Sequence, residues 1–287
     1  GVGATIASAL PWIFTNLFKV DGTAKAGQIA ANVQWSFYIG ALAFLGAVLY
    51  TVFTTKEYPP TAEELEAAKS EKKGFLHGAN EILTAIKTMP KQMRQLALVQ
   101  FLTWPGLFLM WFYYSTGVAS SIFGGDPITN SDRYTEGLEY ANATSAILNL
   151  VTFAFSFTIP FWVSKLGKKW THSICLLLGG LGLISVHYVD NPSWLYLSMG
   201  MVGIAWASIL SMPYSLLAGV IPQEKMGIYM GVFNFFIVLP EIIAALTFGK
   251  IMENYLGNDR LLAVLIGGVL LLSAAVVCLL FVRERKS

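Results

Sequence analysis

Leu261-Leu-Ala-Val-Leu-Ile-Gly-Gly-Val-Leu-Leu-Leu-Ser-Ala-Ala-Val-Val-Cys-Leu-Leu-Phe-Val282 carries no charge, and Arg260 and Arg283 close it at its two ends. At about 1.5 Å per residue, a helix of about twenty such residues crosses a bilayer core of roughly 30 Å. Outward from this stretch, comparable apolar blocks fall at about 1–18, 33–54, 96–119, 139–164, 171–188, 194–220 and 227–249, with 260–282 the last. The chain is predicted to be an all-α membrane protein of about eight transmembrane helices. Composition agrees, with 55% of 287 residues hydrophobic and 13% charged, where an ordinary soluble domain has roughly a quarter charged. A soluble bundle would show one apolar stripe and one charged face on each helix. Here all nineteen Lys and Arg lie in connectors, at span ends or in the tail, and of seventeen Asp and Glu only Glu241 sits well inside a span.

Positive charge sets the orientation, because Lys and Arg in short loops resist translocation. Alternate connectors place Lys165, Lys168, Lys169, Lys225, Arg283, Arg285 and Lys286 on one side, with seven more in segment 55–94. The other side holds only Lys19, Lys25, Arg133, Lys250 and Arg260, and carries the acidic loop with Asp126, Asp132 and Glu136. The 55–94 loop, the C-terminus and Gly1 are therefore expected in the cytoplasm, and the protein in the cell membrane (the inner membrane, for a bacterium). The net charge of +2 reflects this bias and calls for no nucleic-acid partner. Cys175 and Cys278 each lie in an apolar span with no second ligand nearby in sequence, so neither a disulfide nor a metal site is expected. No cofactor is implied. The chain opens inside a hydrophobic segment without an initiator Met, which points to natural sequence before Gly1.

Segment 55–94 separates two spans from six. It opens with Pro59-Pro60 and Thr61-Ala-Glu-Glu64, a capping-box pattern. Phe75, Ala79, Ile82, Ile86 and Met89 then recur at helical spacing, as in a linker helix against the bundle or an amphipathic helix on the membrane surface. The expected organisation is 1–54 as two helices of an N-terminal bundle, 55–94 as a central cytoplasmic loop, and 95–287 as a complete six-helix bundle.

Gln100-Phe-Leu-Thr-Trp104, Trp111-Phe-Tyr-Tyr-Ser-Thr-Gly117, Gly203-Ile-Ala-Trp-Ala-Ser-Ile-Leu-Ser-Met-Pro-Tyr214 and Met226-Gly-Ile-Tyr-Met-Gly-Val-Phe-Asn234 through Pro240 together resemble the sucrose/maltose-type proton symporters of the major facilitator superfamily. The resemblance covers nearly the whole chain and places Gly1 at the start of the fifth of twelve helices. It implies proton-coupled uptake of a disaccharide or short oligosaccharide by alternating access between two six-helix bundles, by a monomer, with no enzymatic step. There are departures. The second-half cytoplasmic motif survives only as Pro160-Phe-Trp-Val-Ser164-Lys165-Leu-Gly167-Lys168-Lys169, where Ser164 replaces the Asp of the motif's latch. Glu241 stands where plant relatives tend to have an amide.

Gln100, Trp104, Leu107, Trp111 and Tyr114 share one helical face. Sugars present apolar C–H faces and rims of hydroxyls, and flat aromatics beside an amide suit both; an interfacial aromatic belt is the alternative for Trp104 and Tyr114. Asn142, Ser145, Asn149, Thr152 and Ser156 form a polar stripe that lines a cavity or packs helices, with Asn149 nearest mid-span. Ser208, Ser211 and Ser215 share a face around Pro213, and Gly200, Gly203 and Ala207 permit close helix approach. Pro213 and Pro240 free backbone carbonyls where transporters place hinges. His77, His172 and His187 have no metal-type spacing and read as bystanders. A carboxylate inside a span is expensive when charged, which makes Glu241 a candidate proton carrier or a hydrogen-bonded brace, with Asn234 seven residues earlier on its face. The candidate contacts are thus Gln100, Trp104, Trp111, Tyr114, Asn149 and Asn234, with Glu241 for proton coupling. A carrier or exporter of another polar solute and a non-transporting sensor share the fold. A membrane-embedded enzyme would need paired intramembrane ligands that a lone Glu241 does not supply.

Overall fold

The computed structural model describes residues 2–22, 29–56, 75–129, 132–222 and 225–283, and every regular element among them is helical. The helices are α1 (Val2–Asn16), α2 (Ala31–Thr54), α3 (Phe75–Thr88) and α4 (Lys91–Gly117), the last carried on by a π-helical turn over Val118–Ile122. There follow α5 (Asp132–Ser156), α6 (Ile159–Leu166), α7 (Lys168–His187), α8 (Trp194–Leu217), α9 (Met226–Tyr255) and α10 (Arg260–Phe281). Seven of the eight expected spans each fall on one described helix, and the block at 139–164 falls on two. Six of the described helices are long and apolar enough to cross a membrane, and α5 with α6 makes a seventh if that bent pair is one span. With 15 residues, α1 falls short of the usual crossing length.

The chain divides into two compact units, Val2–Leu83 and Thr84–Ser287. In the first, α1 lies against α2, and Asn32 ties them by donating from Nδ2 to Thr15 Oγ1 at 2.9 Å. The capping-box segment Thr61–Glu64 falls outside the described residues, as do the side chains of Phe75 and Ala79. Of the expected apolar face of α3, Ile82 is exposed, whereas Ile86 and Met89, at the start of the second unit, pack on that unit's core beside buried Ala85.

The second unit is built on small residues. Lipid tails are as apolar as leucine, so no hydrophobic force draws helices together in a bilayer, and close packing must do so. Gly179-Gly180 on α7 and Gly267-Gly268 on α10 play matching parts. The second glycines face one another: a methyl on Gly268 would sit 2.7 Å from the Gly180 carbonyl oxygen, and one on Gly180 would sit 2.8 Å from that of Gly268. The first glycine of each pair receives another helix, Gly267 receiving Gly106 of α4 and Gly179 receiving Ala205 of α8. On the far side of α8, Gly203 meets the Leu148 carbonyl of α5, where the Thr152 hydroxyl donates to Gly203 O at 2.9 Å. On the other flank, α9 packs on α4. Exchanging α4 with α8, α5 with α9 and α7 with α10 maps these principal contacts onto themselves. The unit is therefore two three-helix repeats, a construction common among transporters.

Two features differ from the sequence expectation. The block at 139–164 is not one helix, because α5 ends at Ser156 and α6 starts at Ile159 with a bend of 58°. Pro160, in the first turn of α6, lacks the N–H that would continue the α5 ladder, and its ring excludes the preceding turn. By contrast α8 and α9 run unbroken through Pro213 and Pro240. In the turn before α5, the Asp126 carboxylate accepts from the Ile128 N–H and the Thr129 hydroxyl, both at 2.9 Å, and these bonds hold it below the usual carboxylate range.

Overpacking a tight interface typically costs about 1–3 kcal/mol. Gly268→Val is therefore expected to lower the thermal unfolding midpoint of the natural full-length protein in detergent, while Gly249→Ala on α9, where nothing lies within 4 Å, leaves it unchanged or raises it. Equal midpoints for the two variants would show that the α7–α10 contact carries no load.

Candidate substrate site

The expected face of α4 does turn into the second unit. Gln100 and Leu107 are fully buried, Tyr114 is 3% exposed, Trp104 is half-buried and Trp111 is 49% exposed. Tyr114 is no belt residue: its hydroxyl lies 2.6 Å from Thr144 Oγ1 on α5. Thr144 spends its own proton on the Ala141 carbonyl at 2.8 Å, so Tyr114 is the donor.

Trp104 and Trp111 are joined by a residue the sequence reading left unassigned, Trp206 of α8. Ring centroids are 6.3 Å apart for Trp104 and Trp111, 6.0 Å for Trp104 and Trp206, and 5.4 Å for Trp111 and Trp206. Trp206 meets both partners nearly edge to face, at 79° and 86°. Edge-to-face packing is the favoured geometry for indole quadrupoles. Helices α4 and α8 scarcely touch through their backbones, and these rings bridge them.

Beneath the cluster lie polar atoms with nothing to bond. Both atoms of the Gln100 amide and the Trp104 indole Nε1 are buried without a hydrogen-bond partner among the described residues. Leaving a buried polar group unsatisfied costs about 1–3 kcal/mol. Two donor groups and an acceptor one helical turn apart, beside aromatic faces, match a neutral solute with hydroxyls on an apolar ring. No Lys, Arg, Asp or Glu stands on this face of α4, so a charged ligand would find no counter-ion there.

The other candidates do not join this cluster. Asn149 on α5 is half-buried and donates to the Ser145 carbonyl of its own helix at 3.2 Å. Along that stripe the Thr152 hydroxyl bonds a neighbouring helix, while Ser145 and Ser156 bond their own backbone. Asn234 on α9 is exposed and accepts a long 3.4 Å contact from the Tyr214 hydroxyl. Glu241 is partly buried on α9, about two turns beyond Asn234. Among the described residues no hydrogen bond or ring contact ties Asn149, Asn234 or Glu241 to the indoles. The sequence signal for Trp206 was its place in Gly203-Ile-Ala-Trp-Ala, but spacing along one helix cannot show which rings meet across two.

Elsewhere the polar groups brace. His172 is fully buried on α7 with Nδ1 2.9 Å from Ser208 Oγ, a link between α7 and α8. Ser164 donates to Phe161 of its own helix, and Lys168 instead donates to the Ser215 carbonyl near the end of α8 at 3.1 Å. Cys175 and Cys278 are buried and not joined in a disulfide, and no group of three or more His, Cys, Asp or Glu suited to a metal occurs among the described residues. A concave space of about 630 Å³ lies at the α7–α8 turn between Leu181, Tyr188, Trp194 and Met201 and includes none of the candidate contacts.

Comparison with known proteins gives the site its context. Residues 1–245 match the family model of the Major Facilitator Superfamily. Sucrose transport protein SUT5 of Oryza sativa subsp. indica is 21% identical over 290 residues, covering 92% of this chain and 54% of the relative. Sucrose transport protein SUC4 of Arabidopsis thaliana is 24% identical over 292 residues, covering 90% and 55%, and SUC3 of the same plant is 25% identical over 224, covering 69% and 37%. The chain spans about half the length, or less, of these curated relatives.

If the Gln100 amide has no partner within the fold, removing it relieves a penalty. Gln100→Met is expected to keep or raise the unfolding midpoint in detergent, by up to about 1–3 kcal/mol of stability. A lower midpoint would mean that the amide is bonded inside the bundle.

Proposed function

The chain belongs to the Major Facilitator Superfamily, and from that premise we propose that it is part of a secondary transporter that takes up a disaccharide or short oligosaccharide with protons by alternating access. The observation that carries this reading is the buried, unpartnered amide of Gln100 and indole N–H of Trp104 beside a cluster of indoles that opens at Trp111. In a membrane protein such groups are paid for only if something bonds them during the working cycle. A sugar does so with hydroxyls while its C–H face lies on Trp111. Because the Gln100 amide and the Trp104 Nε1 are enclosed, the sugar reaches them when α4 and α8 part within their bundle.

In this reading Gln100, Trp104 and Trp111 touch the sugar, and Tyr114, fastened to Thr144, holds the outer end of α4. Asn149 and Asn234 offer further amides from α5 and α9 as the helices rearrange. Glu241 carries the proton. A charge at that depth is costly, so neutralising it by protonation lowers the barrier to exchanging sides. The transporter works as a monomer in the cell membrane with its C-terminus in the cytoplasm, as its Lys and Arg bias favours.

The test uses the natural full-length protein in liposomes. An inward pH gradient is expected to drive accumulation of labelled sucrose or maltose. Glu241→Gln, which keeps the shape of the protonated acid but cannot change charge, is expected to abolish that accumulation and preserve exchange at equal concentrations. Full accumulation by Glu241→Gln would move the coupling elsewhere, and an absence of any sugar accumulation by the wild type would refute proton-driven uptake.

A further inference from the structure

We propose that Trp206 is a specificity-determining residue of the sugar site, the side chain that fits it to two linked rings rather than one; this rests on the sugar reading above. The cluster is not a single flat platform. Trp206 comes from a different helix than Trp104 and Trp111 and stands at 79° and 86° to them, with centroids 6.0 and 5.4 Å away. The two C–H faces of a single pyranose ring are parallel and opposed, so it stacks on only one wall of a right-angled corner at a time. Two rings joined by a bent glycosidic link present two faces at an angle to each other, and two indoles meeting near a right angle receive both. Exposure follows the same order, since Trp111 is 49% exposed and Trp104 and Trp206 are half-buried, so the corner has an open outer wall and a closed inner one.

The position of Trp206 is fixed by packing that does not depend on the sugar. Ala205 beside it seats against Gly179 of α7, and Gly203 seats against the Leu148 carbonyl of α5. With α8 held on both flanks, the remaining direction is toward α4, where Trp206 meets the two other rings. The Trp206 ring also packs against the core of the unit, as that of Trp104 does. Recognition is therefore separated from folding by the KM of those variants that still give monodisperse protein.

The experiment measures KM and kcat for sucrose and maltose exchange by the natural full-length protein in liposomes, for wild type, Trp206→Phe, Trp206→Leu and Trp206→Ala, each normalised to monodisperse protein. Losing one stacking face is expected to raise the disaccharide KM about tenfold in Trp206→Leu and Trp206→Ala with kcat little changed, and Trp206→Phe, which keeps a flat ring, is expected to stay within about threefold of wild type. If Trp206→Ala does not fold, the Phe and Leu pair decides alone. An unchanged KM in Trp206→Leu, or a fall in kcat without a rise in KM, would overturn the assignment and leave Trp206 as helix packing. If the wild type exchanges no disaccharide, the sugar reading itself fails and takes this inference with it.

Discussion

The contact between Gly180 of α7 and Gly268 of α10 is the constraint on which the six-helix unit depends. In a bilayer two apolar helices gain nothing by leaving the lipid for each other unless their backbones come close enough for dispersion to act along their length. A pair of facing glycines permits that approach. The glycine before each of them does the same for one more helix, so Gly267 seats α4 and Gly179 seats α8. The rings of the indole cluster sit beside these seats, Trp104 two residues before Gly106 and Trp206 next to Ala205. Close packing on one side of α4 and α8 is what aims their aromatic faces at each other.

Much of this was legible in the sequence, and the reason differs from element to element. The spans announced themselves because a bilayer demands about twenty apolar residues and expels charge from them. The inward face of α4 followed from a helical period that put Gln100, Trp104, Leu107 and Tyr114 on one side. The break at Phe157-Thr158 did not show, because apolarity runs straight across it and Pro160 is no more conspicuous than Pro213 or Pro240, which leave their helices intact. The internal repeat was also in view as Gly179-Gly180 and Gly267-Gly268, yet two short glycine pairs acquire meaning only when they are seen to meet. Trp206, Thr144 and the His172–Ser208 link were invisible for that same reason. Each depends on a partner on another helix, and periodicity reports one helix at a time.

The site illustrates a tension between stability and function. A fold selected only to persist would place Leu or Met at position 100 and close the matter. Keeping an amide and an indole N–H enclosed and unbonded holds this conformation at higher energy than its packing allows, and a solute that bonds both groups recovers the difference. Ligand binding can shift a conformational equilibrium only by its differential affinity for the two states. Unsatisfied groups on the α4 face are a physical source of such a difference, because a bonded solute would stabilise an open, occupied state more than a closed, empty one.

The most direct test of this account is a structure of the natural full-length protein with sucrose or maltose bound. The account expects sugar oxygens within about 2.7–3.2 Å of the Gln100 amide and of Trp104 Nε1, with a pyranose face on Trp111. A sugar bound elsewhere, with Gln100 and Trp104 still enclosed and unbonded or bonded to protein, would contradict it.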